Sequence, residues 1–216
     1  MKLVSVSLAR SIWMVPFEEV NPLGLDLVPI CNGIRSRYGF QKVPKIEEIS
    51  QGAPNGLQFA NGSMKTSEGS QIEITSFTIY RDGLVVDTRA KTSASDEFLT
   101  DALTFVAMNH RLHFSPEMIR ELNYLSEVVV TAEVHLSEAC DKVARFAEVL
   151  SATLGQHYAA NSIRFGTPPG RQDGPNFTFE YRVGTPLELR RYFSQAPCPT
   201  DQHLGLLDQL ERTMGP

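Results

Sequence analysis

The stretch "APCPTDQHLGLL", residues 196–207, brings Cys198, Asp201 and His203 within six positions of one another. These are the residue types of thiol hydrolases and of metal sites. A thiol near a helix N-terminus has a lowered pKa, which favours a nucleophile. A cysteine hydrolase also needs a base held against the thiol and an oxyanion hole, and spacing alone supplies neither. The same residues make a helix start. Thr200 can serve as N-cap, Pro199 ends the extended lead-in, and Asp201 suits the positive end of the helix dipole. His203 then falls on a stripe with Leu206, Leu207, Leu210 and Met214, while Cys198 lies outside the helix between two prolines. The stretch reads as a helix start, and no catalytic residue is assigned.

Other constellations carry more specific chemistry. Asp82, Asp87 and Arg89 sit on and after a tight turn, an arrangement in which nucleases hold a divalent ion between adjacent strands. Asp82 is equally explained by the turn itself. His110 and His113 would share a face if helical, and Glu133 and His135 would share a strand face. Zinc needs three or four converging ligands, however, and these pairs stand alone. "FTFEYRV", residues 177–183, alternates Phe177, Phe179, Tyr181 and Val183 with polar residues near Arg190 and Arg191. That mixture resembles a single-strand nucleic-acid stacking surface, although a strand buries one such face by default. An anion pocket under the loop 166–176 is a third possibility, with Arg171, Arg182 or Arg190 meeting a small molecule or nucleotide. Phosphate-loop and dinucleotide glycine signatures are absent, and no cofactor or metal is expected.

The chain has 216 residues, 42% of them hydrophobic, which suffices for a real core. A net charge of −5 argues against a dedicated duplex-DNA binder. Charge is unevenly spread. Six basic residues face three acidic ones over 1–45, a net +3; eight face sixteen over 46–155, a net −8. Such asymmetry neutralises itself on folding or presents opposite faces to other copies. The cysteines, Cys31, Cys140 and Cys198, show no C-x-x-C spacing and suit a reducing compartment. The start imitates a signal peptide, but Ser5, Ser7 and Arg10 interrupt it and no cleavage pattern follows. No membrane span is expected, and the cytoplasm is the expected location.

Elements must position any site, and their patterns are partly legible. Val4, Val6 and Leu8 alternate as in a strand over 2–16. Asp26 caps a helix carrying Leu27, Ile30, Ile34 and Tyr38. Residues 50–71 read as a long loop with a weak hairpin at Asn61-Gly62. "IEITSFTIYRDGLVVDT", residues 72–88, is a hairpin turning at Asp82-Gly83, with Gly83 at positive φ. A two-residue turn sets Tyr80 opposite Val85, and a three-residue loop 81–83 would shift that register by one. The phase change between Ile74 and Phe77 means either a bulge near Thr75-Ser76 or a strand covered on both faces. Ser93 and Asp96 form a capping box for a helix burying Phe98, Leu99, Ala102, Leu103 and Val106. Val128, Val129 and Val130 mark a strand covered on both faces within 126–134. Ser137 caps a long helix with the stripe Ala139, Cys140, Val143, Ala147, Leu150 and Leu154. Strands near 163–165 and 177–183 flank the loop 166–176, and a helix closes the chain from about Asp201 to Met214. The order implies a single α+β domain with a largely antiparallel or mixed sheet built around the 72–89 hairpin, helices packed on it. The functional expectation is a non-catalytic interaction protein, self-associating or part of a larger assembly. Its alternatives are the Asp82/Asp87/Arg89 hydrolase and the arginine-lined sensor.

Overall fold

A computed structural model describes residues 1–50, 56–138, 141–168 and 176–214. They form an α+β fold in which every described strand pairing is antiparallel. The chain divides into two compact units, one of Leu8–Leu125 and one of Met1–Ser7 with Ser126–Pro216.

The first unit holds strands in the order β2-β3-β4-β1: β1 (Lys2–Met14, from Leu8), β2 (Leu57–Lys65), β3 (Gln71–Ile79) and β4 (Leu84–Thr88). Its helices are α1 (Phe17–Val20), α2 (Leu27–Tyr38), α3 (Ile46–Ser50) and α4 (Thr92–His110). Asp26 Oδ1 accepts from the Val28 amide at 3.0 Å, so α2 starts where its cap predicts. Ile30, Ile34 and Tyr38 are buried on α2; Phe98, Leu99, Ala102, Leu103 and Val106 are buried on α4. Between them and the sheet lies an aromatic cluster in which Phe98 meets Tyr38 at 4.8 Å and Phe77 at 5.1 Å, edge to face.

The central hairpin differs in detail from the sequence expectation. Ile79 pairs with Leu84 and Thr78 with Val85, so the loop is the four residues 80–83. The Tyr80 amide donates to the Gly83 carbonyl at 2.8 Å. Asp82 is exposed, but Gly83 is not among the positive-φ glycines. Glycine is needed for another reason: a Cβ at Gly83 would stand 2.6 Å from the Trp13 carbonyl oxygen on β1. Gly83→Ala is therefore expected to destabilise by about 1–3 kcal/mol, read as a lower urea midpoint with unchanged slope. The bulge falls where expected, with the register shifting between Ile74 and Ser76.

Two other expectations are corrected here. Residues 57–65 are strand β2 rather than part of a long loop, and the turn lies at 66–70. Asn61, at φ 56, lies within β2 rather than at a turn, and Gly62 admits the Phe40 ring, which a Cβ would meet at 2.5 Å. The Ser93–Asp96 capping box does not form. Asp96 accepts from Trp13 Nε1 at 3.0 Å and Tyr124 Oη at 3.2 Å, and α4 begins without a side-chain cap.

The second unit holds β5 (Glu121–Thr131, from Ser126), β8 (Arg191–Ala196), β7 (Phe177–Tyr181) and β6 (Ser162–Phe165) in that order. Its helices are α5 (Asp141–Leu154), preceded by a 3-10 turn at Leu136–Glu138, and α6 (Thr200–Met214). Val128, Val129 and Val130 are all buried, as their succession predicts. Phe179 and Tyr181 stack on Tyr192 at 4.5 and 4.7 Å, so the aromatic strand face belongs largely to the core. β8 has no counterpart in the sequence reading.

Candidate functional site

The opening stretch does not build a thiol site. His203 is wholly buried on the first turn of α6, where its amide donates to the Pro199 carbonyl at 2.9 Å. Both ring nitrogens are occupied by serines: Nε2 lies 2.9 Å from Ser194 Oγ and Nδ1 lies 3.1 Å from Ser126 Oγ. Ser194 has already donated its proton to the Thr178 carbonyl at 2.6 Å. Nε2 must then carry the hydrogen and donate to Ser194, while Nδ1 faces Ser126 Oγ, which also bonds Thr200 Oγ1 at 3.3 Å. That polarity is the reverse of a nucleophilic serine, which gives its proton to the imidazole. Burial lowers the His203 pKa to about 4, keeping the ring neutral. Cys198 is half-buried, and burial raises its thiol pKa, opposite to the helix-terminus effect. With neither His203 nitrogen available to it, Cys198→Ser is expected to cost roughly 0.5 kcal/mol or less in a thermal melt.

The other constellations are dispersed. Asp87 is buried on β4 and takes Arg10 in a two-pronged bond, Nε–Oδ1 at 2.6 Å and Nη2–Oδ2 at 2.8 Å. Arg89 lies 3.7 Å from Glu73, and Asp82 stays exposed in the turn. The three are not brought onto one ion. His110 ends α4, and the left-handed Arg111 (φ 59) breaks the helical face that would pair it with His113. Its imidazole instead covers Gly33, where a Cβ would be 2.4 Å away. Glu133 and His135 lie beyond the end of β5, and His135 Nδ1 is 3.3 Å from Tyr181 Oη. Among the described residues no three His, Cys, Asp or Glu side chains converge in a way that could hold a metal.

Arg171 lies outside the described residues. Arg182 is exposed just past β7. Arg190, in a left-handed conformation at φ 45, donates Nη1 to the Glu133 carbonyl. Neither lines any of the clefts described below.

What the second unit does present is an uncovered apolar helix face. α5 has the amphipathic pattern its sequence implies, yet no residue of it is buried. Val143 is 46% exposed, Phe146 62%, Val149 60% and Leu154 56%. Of the stripe expected to enter the core, Val143 and Leu154 are exposed while Ala147 and Leu150 are half-buried, and Phe146 and Val149, outside that stripe, face solvent. The side of α5 that is partly covered carries Leu150 with the small residues Ala144, Ala147 and Ser151. Ser151 Oγ ties that side down by accepting from the Tyr158 amide at 2.8 Å and donating to the Ala147 carbonyl at 2.7 Å. Cys140, at the head of the expected stripe, lies outside the described residues.

The sheet margins in the two units are also treated differently. β2 is bridged at its midpoint by Lys42, whose backbone exchanges bonds with Ala60 at 3.0 and 3.2 Å. β6 pairs with β7 on one side, and among the described residues no strand pairs with its other side. It ends in Phe165, 59% exposed. An open, short strand of this kind is a ready template for another strand.

Compared with protein-family models, with curated proteins and with solved structures, the chain matches none.

Proposed function

We propose that the protein is a non-catalytic interaction protein that acts by self-association, with the Ser126–Pro216 unit supplying the contact surface. The observation that carries this reading is the outward apolar face of α5. Exposed apolar faces of this kind mark interaction sites in folded proteins. A second copy is the occupant that suits the surface. A two-fold contact needs a self-complementary patch, and α5 is balanced, with Asp141 and Glu148 against Lys142 and Arg145. Two such helices meet without the charge excess that the −5 chain otherwise carries. β6 suits the same symmetry. Pairing antiparallel with its own copy about a two-fold axis at Ile163, β6 sets Ile163 opposite Ile163 and Ser162 opposite Arg164, and places no like charges directly across.

A cytoplasmic setting belongs to the same proposal. It is supported by the free thiols of Cys31 and Cys198 and by the absence, among the described residues, of a helix long and apolar enough to cross a membrane. Light scattering across about a hundredfold range of concentration tests the central claim. The mass is expected to rise from one chain to two, with amide exchange slowed in 143–154 and 162–165 in the heavier form. A chain that stays monomeric throughout, or associates with no protection there, overturns it.

A further inference from the structure

A polar cleft in the Leu8–Leu125 unit has no part in the proposed association, and its chemistry is specific. It lies between the last turn of α2, the β2–β3 turn end and one face of α4, and encloses about 790 Å³ with the open solvent at its mouth included. Four charged side chains line it: Arg37, Lys65, Glu97 and Asp101. They are not equivalent. Arg37 is held rigidly, with Nε 3.0 Å from Asp101 Oδ2 and 3.2 Å from Tyr38 Oη, and Nη2 2.7 Å from Asp101 Oδ1. Its guanidinium carbon also sits 4.8 Å from the centre of the Phe105 ring. Tyr38 completes the clamp by donating to Asp101 at 2.6 Å. Arg37 Nη1 takes no part in these bonds and remains a donor with a set direction.

Lys65, the last residue of β2, makes no ion pair or hydrogen bond through its ammonium among the described residues. Glu97 uses Oε1 to accept the Ser67 amide, anchoring the turn to α4, and this leaves Oε2 unengaged. Between the charges, Gln71 Nε2 and Ser63 Oγ are only loosely bonded to each other at 3.5 Å. The cleft thus offers cationic donors from Arg37 and Lys65 and an anionic acceptor from Glu97, and its formal charges cancel.

We propose that this cleft binds a small zwitterion of the amino-acid type. The carboxylate lies on Lys65 and Arg37 Nη1, and the ammonium lies on Glu97 Oε2. Net neutrality selects the class. A phosphate dianion gains Lys65 but must also approach Glu97 and Asp101, and a simple cation meets Arg37 and Lys65. A molecule with both signs engages both and leaves neither wall unpaired. Clamping of Arg37 before binding reduces the ordering cost that a free side chain would add.

The test is an NMR titration of the isotopically labelled full chain with L-serine, acetate, methylammonium and inorganic phosphate. L-serine is expected to shift the amides of Lys65, Gln71 and Glu97, with the single-charge probes and phosphate binding at least roughly tenfold more weakly. Lys65→Met and Glu97→Gln should each weaken L-serine by roughly tenfold to a hundredfold, and Lys65→Arg should restore most of the loss. Glu97→Gln keeps an oxygen for the Ser67 amide, so its melting temperature should stay close to that of the native chain. Acetate or phosphate binding as tightly as L-serine overturns the zwitterion. Absence of shifts at the cleft, or shifts untouched by both substitutions, overturns the site.

Discussion

Phe146→Glu is expected to hold the protein as a monomer at concentrations where the native chain is dimeric, and to leave the fold intact. Phe146 stands near the middle of the outward α5 face and is 62% exposed, so the substitution removes no core contact. In a two-fold contact the same ring is buried twice. An aromatic anchor at the centre of an interface contributes about 2–4 kcal/mol. A carboxylate on both copies adds repulsion and desolvation, so association should weaken at least roughly a hundredfold. Light scattering reads the mass, and a urea melt in dilute protein confirms that the monomer is as stable as the native one. Glu68→Ala, an exposed residue of the Leu8–Leu125 unit, is the control and should leave the dimer nearly unchanged. Equal loss of association in both variants, or no loss in Phe146→Glu, removes α5 from the interface.

Acid should destabilise the native chain through His203 in a defined window. The folded pKa of about 4 lies below the ordinary value of 6.5, so the folded state favours the neutral ring. The stability linked to this group is fully present above pH 6.5, falls as the pH drops toward 4, and changes no further below that. A difference of this size corresponds to about 3 kcal/mol. The physical cause is burial. A charged ring there is cut off from water, and no carboxylate is bonded to the imidazole to compensate. His203→Gln should cost about 1–2 kcal/mol at neutral pH, since an amide reproduces only part of the bonding. Its urea midpoint should also be nearly flat between pH 6.5 and 4. A native midpoint equally flat across that window would mean that the ring titrates freely and is not locked between the two serines.

Local pattern by itself determined much of this protein. Asp26 before Leu27 marked the start of α2, and the 3.6-residue recurrence of Phe98, Ala102 and Val106 marked the buried face of α4. The three successive valines marked a strand covered on both faces, and the phase change between Ile74 and Phe77 marked either a bulge or a strand covered on both faces, with the register shift showing the bulge. These are short-range consequences of helix and strand geometry, which neighbouring residues encode without help. Other features depended on partners distant in the chain. Asp96 matches a capping box, but Trp13 and Tyr124, 83 and 28 residues away, claim its carboxylate. Gly83 matches a turn residue, yet its lack of a side chain serves the approach of Trp13. Strand β8 was hidden because its buried phase runs Tyr192, Ser194, Ala196, and a serine there reads as exposed. Only the tertiary structure supplies the partners that let Ser194 be buried, the Thr178 carbonyl and His203. The candidate surface shows the same division. Periodicity established that α5 has an apolar stripe, but a stripe reports only which residues face one way. Whether that direction leads to the core or to solvent depends on the rest of the chain, and here Ala147 and Leu150 of the stripe lie on the inner side, Val143 and Leu154 are exposed, and Phe146 and Val149 face outward beside them.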